Sequence, residues 1–162
     1  MQVSLAGTGV MLSDSLTSTM PVTIHKGHEL TARQVEENRE SVRRAWKLHF
    51  DDTRNSLRNG FYQGWDVHPA QFPPRYAAVY SFFLEGLEAA SARLGNFMAK
   101  AAQATTAGSA FDDAATGQGL LNFFLRGMSC GAITEAEVLS TGLMMEELRT
   151  RSFAAIMKGR KG

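Results

Sequence analysis

The chain has 162 residues, and its 17 Lys and Arg against 16 Asp and Glu give a net charge of +1. That length corresponds to one domain, and the balanced charge gives no electrostatic reason to expect nucleic acid or an anionic membrane as the main partner. Its apolar stretches are far shorter than the roughly 18 residues of a membrane helix, and the single cysteine, Cys130, favours a reducing cytoplasm.

The first thirty residues predict extended chain and a loop. The stretch "QVSLAGTGVML" is apolar and tolerant of β structure, which suits a buried strand or two short ones. The hydroxyl-rich "SDSLTSTMP", which contains Ser13 and Asp14, predicts a loop because short polar side chains satisfy local backbone groups. A further short extended piece, "VTIHKGHEL", follows.

A strong helix is predicted from Thr31 to Asn59. Thr31 and Gln34 have the spacing of a capping box, and Gly60 is a typical helix stop because it adopts the left-handed conformation without strain. The predicted apolar seam recurs every four or seven residues and consists of Val35, Val42, Trp46, Phe50 and Leu57.

The aromatic stretch "FYQGWDV" is too short for a helix and predicts a second strand, which ends at a corner rich in proline. Pro69 forces His68 out of the α region. Pro74 then suits the first turn of a long helix, which we expect to run to about Gln103.

The remainder of the chain predicts further helices. A small-residue linker, "ATTAGSA", precedes a helix near 113–126 that Asp112 or Asp113 would cap and that Gly131 follows. Thr134 and Glu137 form a second capping box, which opens a predicted helix near 135–157.

This order predicts an α/β fold in which a strand–helix–strand unit is parallel and right-handed. Two parallel strands cannot form a stable sheet alone, because parallel sheets need both faces covered. The chain is therefore short of strands. The order of elements divides it into 1–103 and a helical extension over 104–162.

The stretch "NGFYQGWDVHPAQFPPRYAAVYSFF" resembles the last barrel strand of the citrate lyase β-subunit / HpcH–HpaI aldolase superfamily. The matching residues of its Gly-rich strand and His-Pro-x-Gln motif are Gly60, Gly64, His68, Pro69 and Gln71. The chain is similar to the C-terminal part of bacterial aldolase-like proteins of unassigned substrate. The resemblance implies the last two βα units of a TIM (β/α)8 barrel, followed by a helical extension.

The resemblance also implies an activity, which is carbon–carbon lyase chemistry on a 2-oxo acid or acyl-CoA type of substrate with Mg²⁺. No residue here matches the family's metal-ligand motifs, so we expect the chain to be inactive alone. The expected partners are a small carboxylate and either the remainder of the barrel or further copies of the chain. The alternative is a non-enzymatic helical module for interaction or oligomerisation, because the sequence contains no complete catalytic set.

Four residues are candidates for positioning a substrate or a loop: Ser13, Asp14, His68 and Gln71. His68 would lie at the end of a strand, where barrel enzymes work, although a structural histidine that bonds backbone is the competing interpretation. The Gln71 amide would hold a loop or contact a ligand. Asp14, which follows Ser13, would bind a ligand hydroxyl or form an Asx turn. No residue is predicted to be catalytic or to bind a metal.

Overall fold

The computed structural model describes residues 2–5, 10, 12–62, 64–106 and 114–160. About 69% of the described residues are helical, and Pro69–Gln71 forms a single 3₁₀ turn. The α-helices are α1 (Gln2–Leu5), α2 (Ala32–Arg58), α3 (Phe72–Thr106), α4 (Ala114–Ser129), α5 (Glu135–Leu139), α6 (Met145–Thr150) and α7 (Phe153–Gly159).

The predicted α/β class is wrong, and so is the TIM barrel that the resemblance implied. None of the described residues lies in a β-strand, and the fold is all-α. The segment 2–12, expected to be a strand, begins with the single turn α1, and most of its remaining residues lie outside the described ones. The segments 22–30 and 61–67 are irregular over their described residues.

Several backbone groups of segment 61–67 that a strand would pair with a neighbouring strand are already hydrogen-bonded to other parts of the chain. The Val67 N–H donates to the side-chain oxygen of Gln71 at 2.9 Å, and the Trp65 carbonyl accepts from Arg75 Nη2 at 2.8 Å. The Phe61 N–H donates to the Ser56 carbonyl at the end of α2. Because these groups already have partners, the aromatic composition of the stretch does not produce a strand.

The start and the end of α2 were predicted correctly. Thr31 Oγ1 accepts from the Gln34 N–H, and the Gln34 side chain accepts from the Thr31 N–H, which completes the capping box. Gly60 has φ +80°, and the N–H groups of Gly60 and Phe61 donate to Leu57 and Ser56. This pair of bonds is a Schellman motif, which needs a residue in the left-handed region.

The chain divides into two compact units, unit 1 (Met1–Phe82) and unit 2 (Phe83–Gly162). The buried stripe of α2 in unit 1 is largely polar and differs from the predicted apolar seam. Trp46 of that seam is 39% exposed. The buried positions are Asn38, Ala45, His49, Thr53 and Leu57. Hydrogen bonds explain this burial, since Asn38 exchanges two of them with the His25 backbone, at 2.8 and 3.0 Å.

The helices of unit 2 surround an apolar interior. Phe97 and Phe153 meet edge to face with their ring centroids 5.2 Å apart, and Gly117 lies so close to Phe153 that a Cβ there would overlap the ring. The buried apolar side chains include Phe83, Leu94, Leu121, Phe124, Val138, Phe153 and Ile156. The hydrophobic effect therefore holds this unit together.

Three short helices replace the single helix predicted near 135–157. Arg151, at φ +52°, takes the left-handed conformation that ends α6, and Gly142, at φ +87°, lies in the turn that follows α5. The predicted capping box of Thr134 and Glu137 is present at α5, and Ser152 caps α7. The turn after α4 at Gly131 is as predicted, whereas Asp112 and Asp113, the proposed caps of α4, lie outside the described residues.

No helix among the described residues is long and apolar enough to cross a bilayer.

Candidate functional site

His68 and Gln71 form the corner that precedes α3. His68 is extended, at φ −146° and ψ 137°, as Pro69 requires, and its Nδ1 accepts from the Ala70 N–H at 3.1 Å. The Gln71 side chain has 0% exposure; its oxygen accepts from the N–H groups of Val67 and His68, and its nitrogen donates to the Thr17 carbonyl. The corner is therefore joined to the loop that contains Ser13 and Asp14.

Asp14 is fixed by two donors. Its carboxylate accepts from the Ser56 hydroxyl at 2.7 Å and from the Ser15 N–H at 2.8 Å, while the Ser13 hydroxyl donates to the Asp14 carbonyl. The hydrogen bond from Ser56, followed by that from Ser15, holds the pKa of Asp14 below its ordinary value of 3.8. Asp14 is therefore a carboxylate at neutral pH.

A small polar cleft lies between this loop, α2 and the start of α3 within unit 1. Thr17 Oγ1 donates to Asp52 at 2.8 Å, as the Ser56 hydroxyl does to Asp14. Because Asp52 and Ser56 lie one helical turn apart on α2, the loop is bound to this helix at both Thr17 and Asp14. The cleft has a volume of about 30 Å³, enough for about two water molecules. Its polar lining is Asp14, Ser15, Thr17, Asp52, Ser56 and Arg75.

A partly buried trio, His49, Asp66 and Arg75, lies beside the cleft. Asp66 accepts from His49 Nε2 at 2.8 Å and from Arg75 Nε at 2.6 Å. The His49 side chain is 1% exposed, and its Nδ1 has no hydrogen-bond partner among the described residues. Since a carboxylate only accepts, Nε2 carries the hydrogen of this bond. Asp66 is therefore paired to two basic residues, His49 and Arg75.

Three residues of this region were not singled out from the sequence. His49, Asp52 and Arg75 lie on helices, where alternation of polar and apolar residues gave no reason to select them. The available signal was the spacing of four between His49, Thr53 and Leu57, which places a histidine on the stripe that α2 buries.

An exposed aromatic stripe lies on the first part of α3. We define the aromatic stripe as Phe72, Tyr76 and Tyr80, which follow one another at the spacing of four that aligns side chains along one helix face. Their exposures are 49%, 61% and 37%, and the rings of Tyr76 and Tyr80 are 6.4 Å apart. This face is available to a partner.

Within the described part of the chain, no set of residues that could carry lyase chemistry comes together. Among the described residues, no three His, Cys, Asp or Glu side chains come together in a way that could hold a metal ion. Neither His68 nor Gln71 lines the cleft. Lyase activity, Mg²⁺ and the resemblance to the aldolase superfamily stay predictions.

Comparison with known proteins gives a family and no activity. No curated protein and no solved structure is significantly similar to the chain. A family model described as a domain of unknown function, DUF6986, matches residues 1–156. Since that match spans nearly the whole sequence, the chain belongs to the DUF6986 family.

Proposed function

We propose that the chain is a helical interaction module that pairs with a second copy of itself through the aromatic stripe. The observation that carries the proposal is the exposure of Phe72, Tyr76 and Tyr80 on one helix face. Large aromatic side chains aligned on a surface are characteristic of interfaces, where each ring contributes much contact area at low entropic cost.

The exposed area fits a modest dimer. At about 150–250 Å² per aromatic side chain, the exposed parts of the stripe amount to about 300 Å² in each copy. Trp65, which is 61% exposed, and Val67, at 47%, precede α3 and add apolar surface. Two such surfaces bury roughly 1,000 Å² in total, which is the lower bound of specific interfaces. A weak dimer is therefore expected.

The electrostatics of the stripe favour an identical partner. Between Phe72 and Ser81 the sequence has one charged residue, Arg75, and Asp66 already binds its guanidinium group. A surface without free charge does not repel its own copy, and it offers no charge pattern to select a different partner. A two-fold arrangement brings the same residues of both copies together.

Hydrogen bonds at the start of α3 fix the position of the aromatic stripe. Arg75, in the first turn of α3, binds the preceding segment, and Gln71, directly before α3, binds the loop at Thr17. A rigid surface loses little conformational entropy when it binds. The corner around His68 therefore supports the interface without being part of it.

The experiment is sedimentation velocity over a concentration series. We expect a monomer–dimer equilibrium at tens of micromolar, and a monomer for the double variant Tyr76→Ser/Tyr80→Ser. Ile24→Ser is the matched control, because Ile24 is an apolar side chain of unit 1 with 58% exposure outside the stripe. A wild-type chain that stays monomeric, or equal dissociation of the control, would refute the proposal.

We also propose a cytoplasmic location for the module. The single cysteine of the chain, Cys130, suits a reducing compartment. Fractionation of cells that produce the tagged full-length protein tests this, and recovery from a secreted fraction would contradict it.

A further inference from the structure

The segment before α2 folds back along that helix. We define the strap as residues 13–25, which form no helix. The residues that bond the strap to α2 follow the helix in reverse order, and these pairs are Asp14 with Ser56, Thr17 with Asp52, and His25 with Asn38. From Asp14 to His25 the strap thus covers about 27 Å of helix, or about 2.5 Å per residue. This rise is closer to that of a strand than to that of a helix, so the strap is an extended chain.

Two buried amides bind the backbone of the strap. The Asn38 side chain accepts from the His25 N–H at 2.8 Å and donates to the His25 carbonyl at 3.0 Å. The Gln71 side chain donates to the Thr17 carbonyl at 2.9 Å. Because every residue has a backbone carbonyl, and all but proline an N–H, these amides recognise an extended chain through groups that its sequence does not change.

Three further bonds depend on the side chains of the strap. They join Asp14 to Ser56, Thr17 to Asp52 and His25 Nε2 to the Glu37 carboxylate, at 2.7, 2.8 and 2.6 Å. These bonds fix which strap residue lies at each position of α2. Main-chain bonds for affinity, together with a few side-chain contacts for specificity, are how proteins recognise extended peptides.

The apolar side chains of the strap contribute little to its attachment. Leu16, Val22 and Ile24 are 49%, 44% and 58% exposed, and within the strap only Thr17 and Pro21 are buried. A segment with few buried apolar contacts opens at a lower free energy than the core, because water replaces the hydrogen bonds that it loses. The strap is therefore attached by bonds that a competing segment can replace.

From these observations we infer that this face of α2 is a peptide-binding site, which the strap fills as an intramolecular ligand. The ligand that replaces it is an extended segment of a partner protein, in which an acidic residue precedes Ser or Thr by three positions. Such a segment makes the bonds to Asn38, Asp52, Ser56 and Gln71 that the strap makes in this structure. The strap competes with it at an effective concentration on the order of millimolar. This site shares no residue with the aromatic stripe.

The probe is a fluorescently labelled synthetic peptide with the sequence of residues 13–25, titrated with the full chain and followed by fluorescence polarisation. The strap variant Asp14→Ala/Thr17→Val removes two side-chain bonds of the strap and leaves α2 and Gln71 unchanged. We expect this variant to bind the peptide at least tenfold more tightly than the wild type, because its own strap competes less well. Equal affinities, or no saturable binding to the strap variant, would overturn the inference.

Controls separate this site from a general loosening of unit 1. Ile24→Ser changes an exposed side chain of the strap, so this chain should bind the peptide as weakly as the wild type. Asn38→Ala, added to the strap variant, should abolish binding. If that chain fails to fold, Asn38→Asp keeps the acceptor for the His25 N–H, loses the donor, and should weaken binding. Binding that survives the replacement of Asn38, that Ile24→Ser also tightens, or that a peptide of scrambled sequence equals would contradict the site.

Discussion

Gln71 donates its side-chain amide to the carbonyl of Thr17 at 2.9 Å, across 54 positions of the sequence. The same side chain accepts from two backbone N–H groups of the preceding segment, those of Val67 and His68. One buried amide thus joins the loop that forms the cleft to the corner that orients α3.

Replacing this amide should destabilise unit 1. Gln71→Leu keeps the volume but leaves the Thr17 carbonyl and the Val67 N–H without their partner, and each buried unsatisfied group costs about 1–3 kcal/mol. Urea unfolding followed by circular dichroism measures the change in the free energy of unfolding. An unchanged midpoint would mean that water replaces the amide and that the contact contributes little.

Substitution of Asp66 should destabilise unit 1 more than substitution of Asp51, an exposed acid of α2. Asp66→Asn weakens the hydrogen bonds to His49 and Arg75. We expect the free energy of unfolding to fall by about 2–3 kcal/mol. This is less than the full cost of breaking a buried ion pair, because Arg75 is 21% exposed. Asp51→Asn, at a surface pair with Lys47, should change stability by less than about 1 kcal/mol. Equal effects in the two variants would show that the partly buried trio contributes no more than a surface pair.

His68 should act as a cap and not through the chemistry of its ring. Its Nδ1 accepts from the Ala70 N–H at the start of the 3₁₀ turn. We therefore expect His68→Ala to cost about 1 kcal/mol, and His68→Asn to retain most of the stability because asparagine is a strong N-cap. Thermal unfolding of both variants decides the point, and a loss with asparagine as large as with alanine would contradict the capping role.

Unit 2 should lose stability in acid through Glu147. Hydrogen bonds from Arg160 hold the pKa of Glu147 below its ordinary value of 4.5, against the effect of burial. Because the folded pKa is the lower one, this contribution is complete above pH 4.5 and disappears as the pH falls through the folded pKa. Glu147→Gln should reduce the loss of stability that the wild type shows over this acidic range. A variant whose stability depends on pH as the wild type's does would show that the Glu147–Arg160 pair is not the cause of that loss.

Local signals in the sequence predicted local structure well. Capping residues such as Thr31 and Thr134, and stop signals such as Gly60 and Gly131, act through bonds within a few residues, so their effect is independent of the rest of the fold. Pro69 likewise fixed the conformation of His68.

The tertiary arrangement could not be predicted in the same way. The strand expected at 61–67 depends on whether its backbone finds a ladder or side-chain partners, and here Gln71 and Arg75 supply the partners. The buried stripe of α2 was missed because Asn38 and His49 are buried through hydrogen bonds to distant residues. The cleft depends on the same long-range bonds, so of its lining only Asp14 was proposed.

The polar stripe of α2 affects how unit 1 responds to temperature. Exposure of apolar surface raises the heat capacity on unfolding, and exposure of polar surface lowers it. Among the described residues, the buried apolar side chains of unit 1 are few and mostly small: Pro21, Ala45, Leu57, Pro74 and Ala78. Its stability should therefore vary gently with temperature, with little tendency to cold denaturation, whereas the aromatic interior of unit 2 gives a strongly curved dependence.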